Sequence, residues 1–370
     1  MTALPRQMRA VVLTGHGGLD KLVFHEDWPV PAPGEGEVLV EVGACGMNNT
    51  DVNTRTAWYS KSVTEGTTAE GGAEGFTQSD DDDAAWGGAG IGFPRIQGAD
   101  VCGRVVALGD RAPEELLGKR VLIDTWLRDW DDPLDLDKCG YFGSERDGGY
   151  AEYTTAPARN VHPIESALGA AELATFATSS ITAENMLERA QVERGDVVLI
   201  PGASGGVGSA LVQLVRRRGA MAVALCSGAK AEAVMAVGAE AVLPRDPDDL
   251  GAALKAAIGR DSVDVVADVV GGALWPQLIE VLRRGGRYTC AGAIAGPIVS
   301  FDLRTFYLKD LTFTGATIVP PGLFANLVRY IEAGEIKPLL ARTFPLERLR
   351  DAQAAFLEKR HVGNIVVLMR

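Results

Sequence analysis

Val197–Gly208 reads VVLIPGASGGVG, and this stretch decides the fold. Its first four residues are aliphatic with no polar alternation, as expected of a strand buried on both faces in a parallel sheet. Glycines then mark a sharp turn, and Ser209–Arg218 continues as a helical stretch. A lone GxGxxG motif says little, but a strand before it and a helix after it supply the required context. Gly205 and Gly208 take the second and third positions of that motif, and Ala203 the first, with Gly202 one step upstream. Glycine lets the backbone turn tightly and approach a phosphate. The helix N-terminus adds unpaired N–H groups and the positive end of a dipole. Gly202, Ala203, Ser204, Gly205, Gly206, Val207 and Gly208 are therefore the expected cradle for a dinucleotide pyrophosphate.

The next strand bears on which dinucleotide. An acid about 20 residues after the glycines usually bonds the ribose 2′-hydroxyl of NAD. The matching place here is Leu225-Cys226-Ser227-Gly228-Ala229-Lys230, which has no acid. Ser227 and Lys230 suit a 2′-phosphate, so NADPH is expected over NADH; the alternative is that Lys230 is a plain surface lysine.

Working outward, strand and helix patterns alternate after about Ser166. AVAL (222–225) precedes Lys230–Val237, VDVVADVV (263–270) precedes Leu274–Arg283, and RYTCAG (287–292) follows. This predicts an α/β unit with a doubly wound parallel sheet. The N-terminal part reads instead as β-rich, with strands expected at Met8–Leu13, Val38–Val42, Val101–Leu108 and Arg120–Ile123. The chain ends with a helix near Leu346–Glu358 and a strand at Asn364–Leu368, in the style of the first part. Residues 60–94 are rich in Gly, Ala, Thr and acid and show neither period, so a long loop is expected. It reads either as a solvated insertion or as a lid over a substrate pocket, with Trp58, Tyr59, Phe76 and Trp86 as aromatic contributors.

Composition narrows the class of function. The chain has 370 residues, 46% hydrophobic and 23% charged, with a net charge of -13. That length suits two domains. An acidic surface argues against nucleic acid or an anionic membrane as the main partner, leaving a small molecule. No apolar run is long enough for a membrane span, and MTALPRQMRAVVLTG lacks the apolar core of a secretory signal. A cytoplasmic location is expected. The five cysteines (Cys45, Cys102, Cys139, Cys226 and Cys290) are scattered and never spaced as CxxC, as suits reduced thiols. The four histidines (His16, His25, His162 and His361) read as surface or core residues rather than ligands.

The order of parts, with GASGGVG, VGAEAVL (237–243) and HVGNIVV (361–367), resembles the medium-chain dehydrogenase/reductase superfamily. The resemblance covers the chain apart from the 60–94 insertion. It implies a GroES-like β-rich catalytic domain (1–165 and 339–370) and a Rossmann dinucleotide-binding domain (166–338), with the active site in the cleft between them. It further implies Thr182 and Asn364 as cofactor contacts, and a homodimer joined through the strand at Leu311–Ile318.

Zinc-dependent members of that superfamily hold a metal with Cys, His and Cys. At the matching places stand Asn48 in Cys45-Gly46-Met47-Asn48-Asn49-Thr50-Asp51, Ala99 in Gly98-Ala99-Asp100, and Thr178 in Thr178-Ser179-Ser180-Ile181-Thr182-Ala183. Such residues cannot supply the thiolate and imidazole donors zinc prefers. Only Cys139 lies where a structural four-cysteine lobe would be. Neither a catalytic nor a structural zinc is expected.

Zinc-free members resemble this chain in an N-x-x-D-x-Y-x-R pattern. Asn48, Asp51 and Arg55 match it, while Asn53 replaces the tyrosine; Tyr59 is a possible substitute. Without a metal, conjugate reduction is easier than reduction of a simple carbonyl, because the charge spreads into an enolate or quinol oxygen. Asn48 and Thr50 are the expected donors to that charge, unless they only brace the loop, and Asp51 and Arg55 are expected to form a supporting ion pair. The leading reading is an NADPH-dependent reductase of quinones or α,β-unsaturated carbonyls. The alternatives are a metal-free NADP-dependent alcohol or aldehyde dehydrogenase and a non-catalytic NADPH-binding protein.

Overall fold

The computed structural model describes residues 4–80, 82–84, 90–133 and 135–370. At the N-terminus β1 (Gln7–Leu13) pairs antiparallel with β2 (Leu22–Pro29). The long β3 (Glu37–Gly46) is the spine of a seven-stranded sheet. It is flanked by β4 (Asp100–Leu108), followed by β5 (Arg120–Ile123). The short ribbon β6 (Trp126–Leu127) and β7 (Gly140–Tyr141) stands apart from this sheet. Next, β8 (Tyr153–Pro157) returns to β3, and β9 (Val161–Pro163) pairs with β5.

The six-stranded parallel sheet comprises β10 (Val197–Pro201), β11 (Met221–Cys226), β12 (Ala241–Pro244), β13 (Val263–Asp268), β14 (Leu282–Cys290) and β15 (Thr312–Gly315). Their order is β12-β11-β10-β13-β14-β15. All residues of β10 and β13 are buried, as the unbroken aliphatic runs require of strands covered on both faces. The strand order reverses between β10 and β13, where a doubly wound sheet opens its ligand crevice. Finally β16 (Leu340–Pro345) and β17 (Asn364–Leu368) carry the chain back, and β17 pairs antiparallel with β3. This return brings the C-terminal segment to the mouth of the crevice.

Four helices matter for the site: α1 (Asn49–Arg55), α2 (Ala69–Glu74), α3 (Ala177–Arg189) and α4 (Gly206–Arg217). The apolar face of α4 (Leu211, Val212, Leu214 and Val215) is buried. Each such side chain contributes about 1.5–3 kcal/mol on full burial.

Three expectations are corrected here. The helix expected over 274–283 ends at Glu280, because Leu282 already pairs with Val263 in the sheet and Arg283 reaches the Asp264 carboxylate. The strand expected at 311–318 is limited to Thr312–Gly315, at the sheet edge. The 60–94 segment is not all loop. Thr68 caps α2 by accepting from Gly71 N, and the short helix lies across Leu357.

Candidate active site

The glycine turn leaves β10 and enters α4 at the crevice. Gly202 has φ +67°, a conformation that side chains resist. A Cβ on Gly208 would sit 2.3 Å from Gly202 O, so only glycine permits this close return of the helix onto the turn. Gly205 caps α4 without a side chain, leaving backbone donors at the helix start facing the cleft. The C-terminal segment seals the turn from the other side: Gly363 N donates to Ser204 O at 3.0 Å, and Gly205 bridges Gly363. Gly202, Ser204, Gly205, Gly206, Val207 and Gly208 all line the cleft. Ala203 does not. It is fully buried in the core beneath the turn, because the chain turns over there and its methyl group packs inward.

At one end the cleft opens into a cavity of about 500 Å³ lined by Ser227, Lys230, Arg245, Lys359 and His361. Lys230 Nζ donates to Lys359 O at 2.5 Å. Lys359 Nζ reaches Asn49 Oδ1 at 2.8 Å and lies over the Phe356 ring. Burial, with the Lys230 charge second, lowers the Lys359 ammonium to about 7. Burial and the two lysines hold the His361 imidazole near 4. Lys230 is shifted down as well, by burial and by Arg245. Asp246 also borders this cavity and is ion-paired with Arg245. Lys230, Arg245 and Lys359 thus gather cationic side chains beside an imidazole that stays neutral at pH 7, a set fit for an anion with several oxygens. Sequence reading found Ser227 and Lys230. It missed Arg245, Lys359 and His361, which come from the end of β12 and from the loop before β17.

The inner cavity is lined by Asn48, Thr50, Asn53, Trp58, Tyr59, Trp126, Tyr141, Thr178, Ser179, Thr182 and Asn364, among others. Asn48 sits where β3 gives way to α1. Its amide nitrogen donates to Asp100 Oδ2 at 3.0 Å, and its amide oxygen accepts from Ser179 Oγ at 3.2 Å. Asp100 also accepts from Thr178 N at 2.8 Å and from the Thr178 hydroxyl. The Thr178 and Tyr141 hydroxyls are 2.7 Å apart. Asn364 extends the network by donating to Ser179 Oγ at 2.9 Å. Burial raises the Asp100 carboxyl to about 6, against the opposing effect of these donors. Beside this network the Tyr59 hydroxyl donates to Thr50 Oγ1 at 3.1 Å, leaving the Thr50 proton for another acceptor.

Two expected roles are corrected. Asp51 is buried and does not line the cavity; it closes a capping box on α1 by accepting from Asn48 N at 2.7 Å. Its carboxyl is raised to about 7 by burial. Nor does Asp51 pair with Arg55. The fully buried Arg55 guanidinium donates to Gln353 Oε1 at 2.8 Å, Gly17 O at 2.7 Å and Gly72 O at 2.5 Å. Arg55 therefore fastens α2, and with it the insertion, to the catalytic domain.

The insertion is docked over the cleft. Thr67 N donates to Ile294 O at 2.8 Å in the loop after β14, and Thr67 Oγ1 donates to Asn53 Oδ1 at 3.1 Å. Trp58 and Tyr59 line the cavity, whereas Phe76 is buried beside Gly71. Trp86 lies outside the described residues.

A GroES-like β-rich unit and a Rossmann unit, meeting at a glycine turn with a polar pocket beside it, define a dehydrogenase/reductase architecture. The comparisons agree. Residues 34–166 match the alcohol dehydrogenase GroES-like domain, and residues 206–333 match the zinc-binding dehydrogenase domain. A protein from Sinorhizobium meliloti 1021 described as a candidate alcohol dehydrogenase is 46% identical, with a TM-score of 0.89 over 100% of this chain and 98% of that one. The quinone oxidoreductase of Lama guanicoe is 26% identical over 98% of each chain. The crotonyl-CoA carboxylase/reductase AntE, in complex with NADP, is 25% identical with a TM-score of 0.84, over 99% of this chain and 95% of that one. The chain belongs to the medium-chain dehydrogenase/reductase superfamily, a family of oxidoreductases.

Two groups implied by that family are tested by the residues. The glycine cradle, with its backbone donors, fits a dinucleotide. The zinc positions do not fit a metal. The Asn48 amide is engaged on both atoms, Thr178 donates to Asp100, and Ala99 carries no donor atom. Among the described residues no group of three or more His, Cys, Asp or Glu side chains is placed to hold a metal ion, and no helix is long and apolar enough to cross a membrane.

Proposed function

We propose that this chain is an NADPH-dependent reductase of quinones or α,β-unsaturated carbonyls that works without catalytic zinc. The observation that carries the reading is that Asn48 and Thr178, which stand at two of the positions that hold zinc in metal-dependent relatives, are tied into a hydrogen-bonded network with Asp100 and Ser179. A neutral donor such as the Thr50 hydroxyl beside this network can steady a charge already delocalised into an enolate or quinol, but it replaces a Lewis acid poorly at a localised alkoxide. The bound NADPH would supply hydride. Thr50, whose hydroxyl accepts from Tyr59, is aimed to donate to the substrate oxygen, and Asn48 holds its loop in place. Trp58 and Tyr59 limit water at the reacting centre.

The cofactor preference rests on Ser227, Lys230, Arg245 and Lys359, whose donors suit a 2′-phosphate. NADP bound to AntE points the same way. The second reading is a metal-free alcohol or aldehyde dehydrogenase, favoured by the description of the Sinorhizobium meliloti neighbour. Cofactor consumption with quinones, enones, aldehydes and alcohols separates the readings. NADPH oxidation by quinones or enones supports the first, NADP-linked turnover of simple alcohols or aldehydes alone the second, and no turnover a non-catalytic binding protein.

We also propose a homodimer formed at β15. Ile298, Leu303, Tyr307 and Leu308 are exposed apolar side chains near this sheet edge, an arrangement that pairing of two edges would cover. Light scattering giving the mass of a single chain would rule it out.

A further inference from the structure

The cavity holds two tyrosines, and they differ in what stands behind them. Tyr59 meets Thr50 and Asn53, and neither links it to a carboxyl group by a described hydrogen bond. Tyr141, on the β7 ribbon, faces the same cavity and meets Thr178, at the start of α3; Thr178 in turn meets Asp100, on β4. Three separate elements thus converge to make an unbroken chain from the cavity to a fully buried carboxyl group. Either hydroxyl of the Tyr141–Thr178 pair can be the donor, so the chain can run in both directions.

We propose that Tyr141, Thr178 and Asp100 deliver the proton of the reduction, with Tyr141 giving it to the carbon α to the substrate carbonyl; this rests on the reductase reading above. Hydride reaches the β-carbon, and the double-bond electron pair moves into an enolate. The α-carbon takes the Tyr141 proton, forming a C–H bond as the phenolic O–H bond breaks. Thr178 passes its proton to the Tyr141 oxygen, and the Asp100 carboxylic acid passes its proton to Thr178. The resulting carboxylate is held by the Asn48 amide and the Thr178 N–H. After product leaves, water entering the cleft returns one proton along the same chain. The substrate gains one hydride and one proton.

The electrostatics suit this division of labour. Burial and the Asp100 charge push the Tyr141 phenol well above its usual range, so a bare phenolate is disfavoured and concerted replacement of the proton is needed. The Asp100 carboxyl, raised to about 6, keeps a protonated fraction near neutrality. The other titratable groups around it are Asp51 on α1, Cys45 on β3 and Tyr150, and all three are buried.

The test is reduction of an α-methyl enone, where α-protonation sets a stereocentre. Wild type is expected to give one enantiomer. Tyr141→Phe and Thr178→Val should lower kcat about a hundredfold and give nearly racemic product, with the Kd for NADPH unchanged. Thr178→Ser, which keeps the hydroxyl, should retain rate and enantiomeric excess; this pair decides the matter if Tyr141→Phe does not fold. Racemic product from wild type, or undiminished rate and enantiomeric excess in Tyr141→Phe or Thr178→Val, overturns the relay alone. Failure of wild type to consume NADPH with any enone or quinone removes the reductase reading, and the relay with it.

Discussion

The two walls of the cleft hold their ligands by different means. The dinucleotide wall is made of backbone: Gly202, Gly205 and Gly208 shape it, and the helix behind it starts without a side-chain cap. The catalytic wall is made of side chains from distant elements, with Asn48, Asp100, Thr178 and Tyr141 meeting only after the chain has folded. A backbone site is local and unforgiving. A side-chain site is distributed, and each member can be changed without reshaping the backbone.

The sharpest way to break this contrast is Gly208→Ala. Its Cβ would sit 2.3 Å from Gly202 O, so the turn must open. Affinity for NADPH and NADH should both fall by about a hundredfold, or ~3 kcal/mol, in a fluorescence titration. Unchanged affinity would show that the turn does not depend on glycine there.

Arg55→Gln probes the other wall through its support. It removes a buried guanidinium from Gln353, Gly17 and Gly72, leaving the buried Gly72 carbonyl and the half-buried Gly17 carbonyl short of a donor. A loss of about 3 kcal/mol in denaturant unfolding is expected. The insertion should loosen too, raising KM for substrate more than for cofactor. A wild-type unfolding midpoint would contradict the role given to Arg55.

Lys359→Ala sharpens the comparison, because it adds a side-chain element to the backbone wall. NADPH affinity should fall by roughly tenfold to thirtyfold, about 1.5–2 kcal/mol, while NADH affinity stays near wild type. Equal losses for both cofactors would remove Lys359 from 2′-phosphate recognition.

The smallest effect is a pH dependence. With its ammonium lowered to about 7, Lys359 is charged below that pH and neutral above it. A phosphate favours the charged form, so NADPH affinity should be greatest near pH 6 and decline as pH rises through 7. The decline is limited to about tenfold per pH unit and should be absent for NADH. Rising affinity with pH would reverse the sign and refute the assignment.

The contrast also explains what the sequence made legible. VVLIPGASGGVG could be read because strand, turn and helix are contiguous and each glycine has a local reason. Asn364 and Thr182 were reachable through the family resemblance, and both line the cavity. Asp100, Tyr141 and Lys359 carried no such signal, since their neighbours lie far away in sequence. Asp51 and Arg55 misled for another reason. Their spacing on one short helix suggests an ion pair, but the local capping box at Asn48 claims Asp51, and the carbonyls of Gly17 and Gly72 claim Arg55. The Gly-rich insertion hid α2, because its short helix is held by the Thr68 cap and by packing against Leu357 rather than by any apolar period.

The most direct test is steady-state turnover of purified protein with an enone and a quinone, comparing NADPH with NADH in the presence of a strong metal chelator. The account predicts turnover that the chelator leaves intact, with kcat/KM at least about tenfold higher for NADPH, the factor that 1.4 kcal/mol of 2′-phosphate recognition would give. Turnover abolished by the chelator, or confined to NADH and simple alcohols, would contradict it.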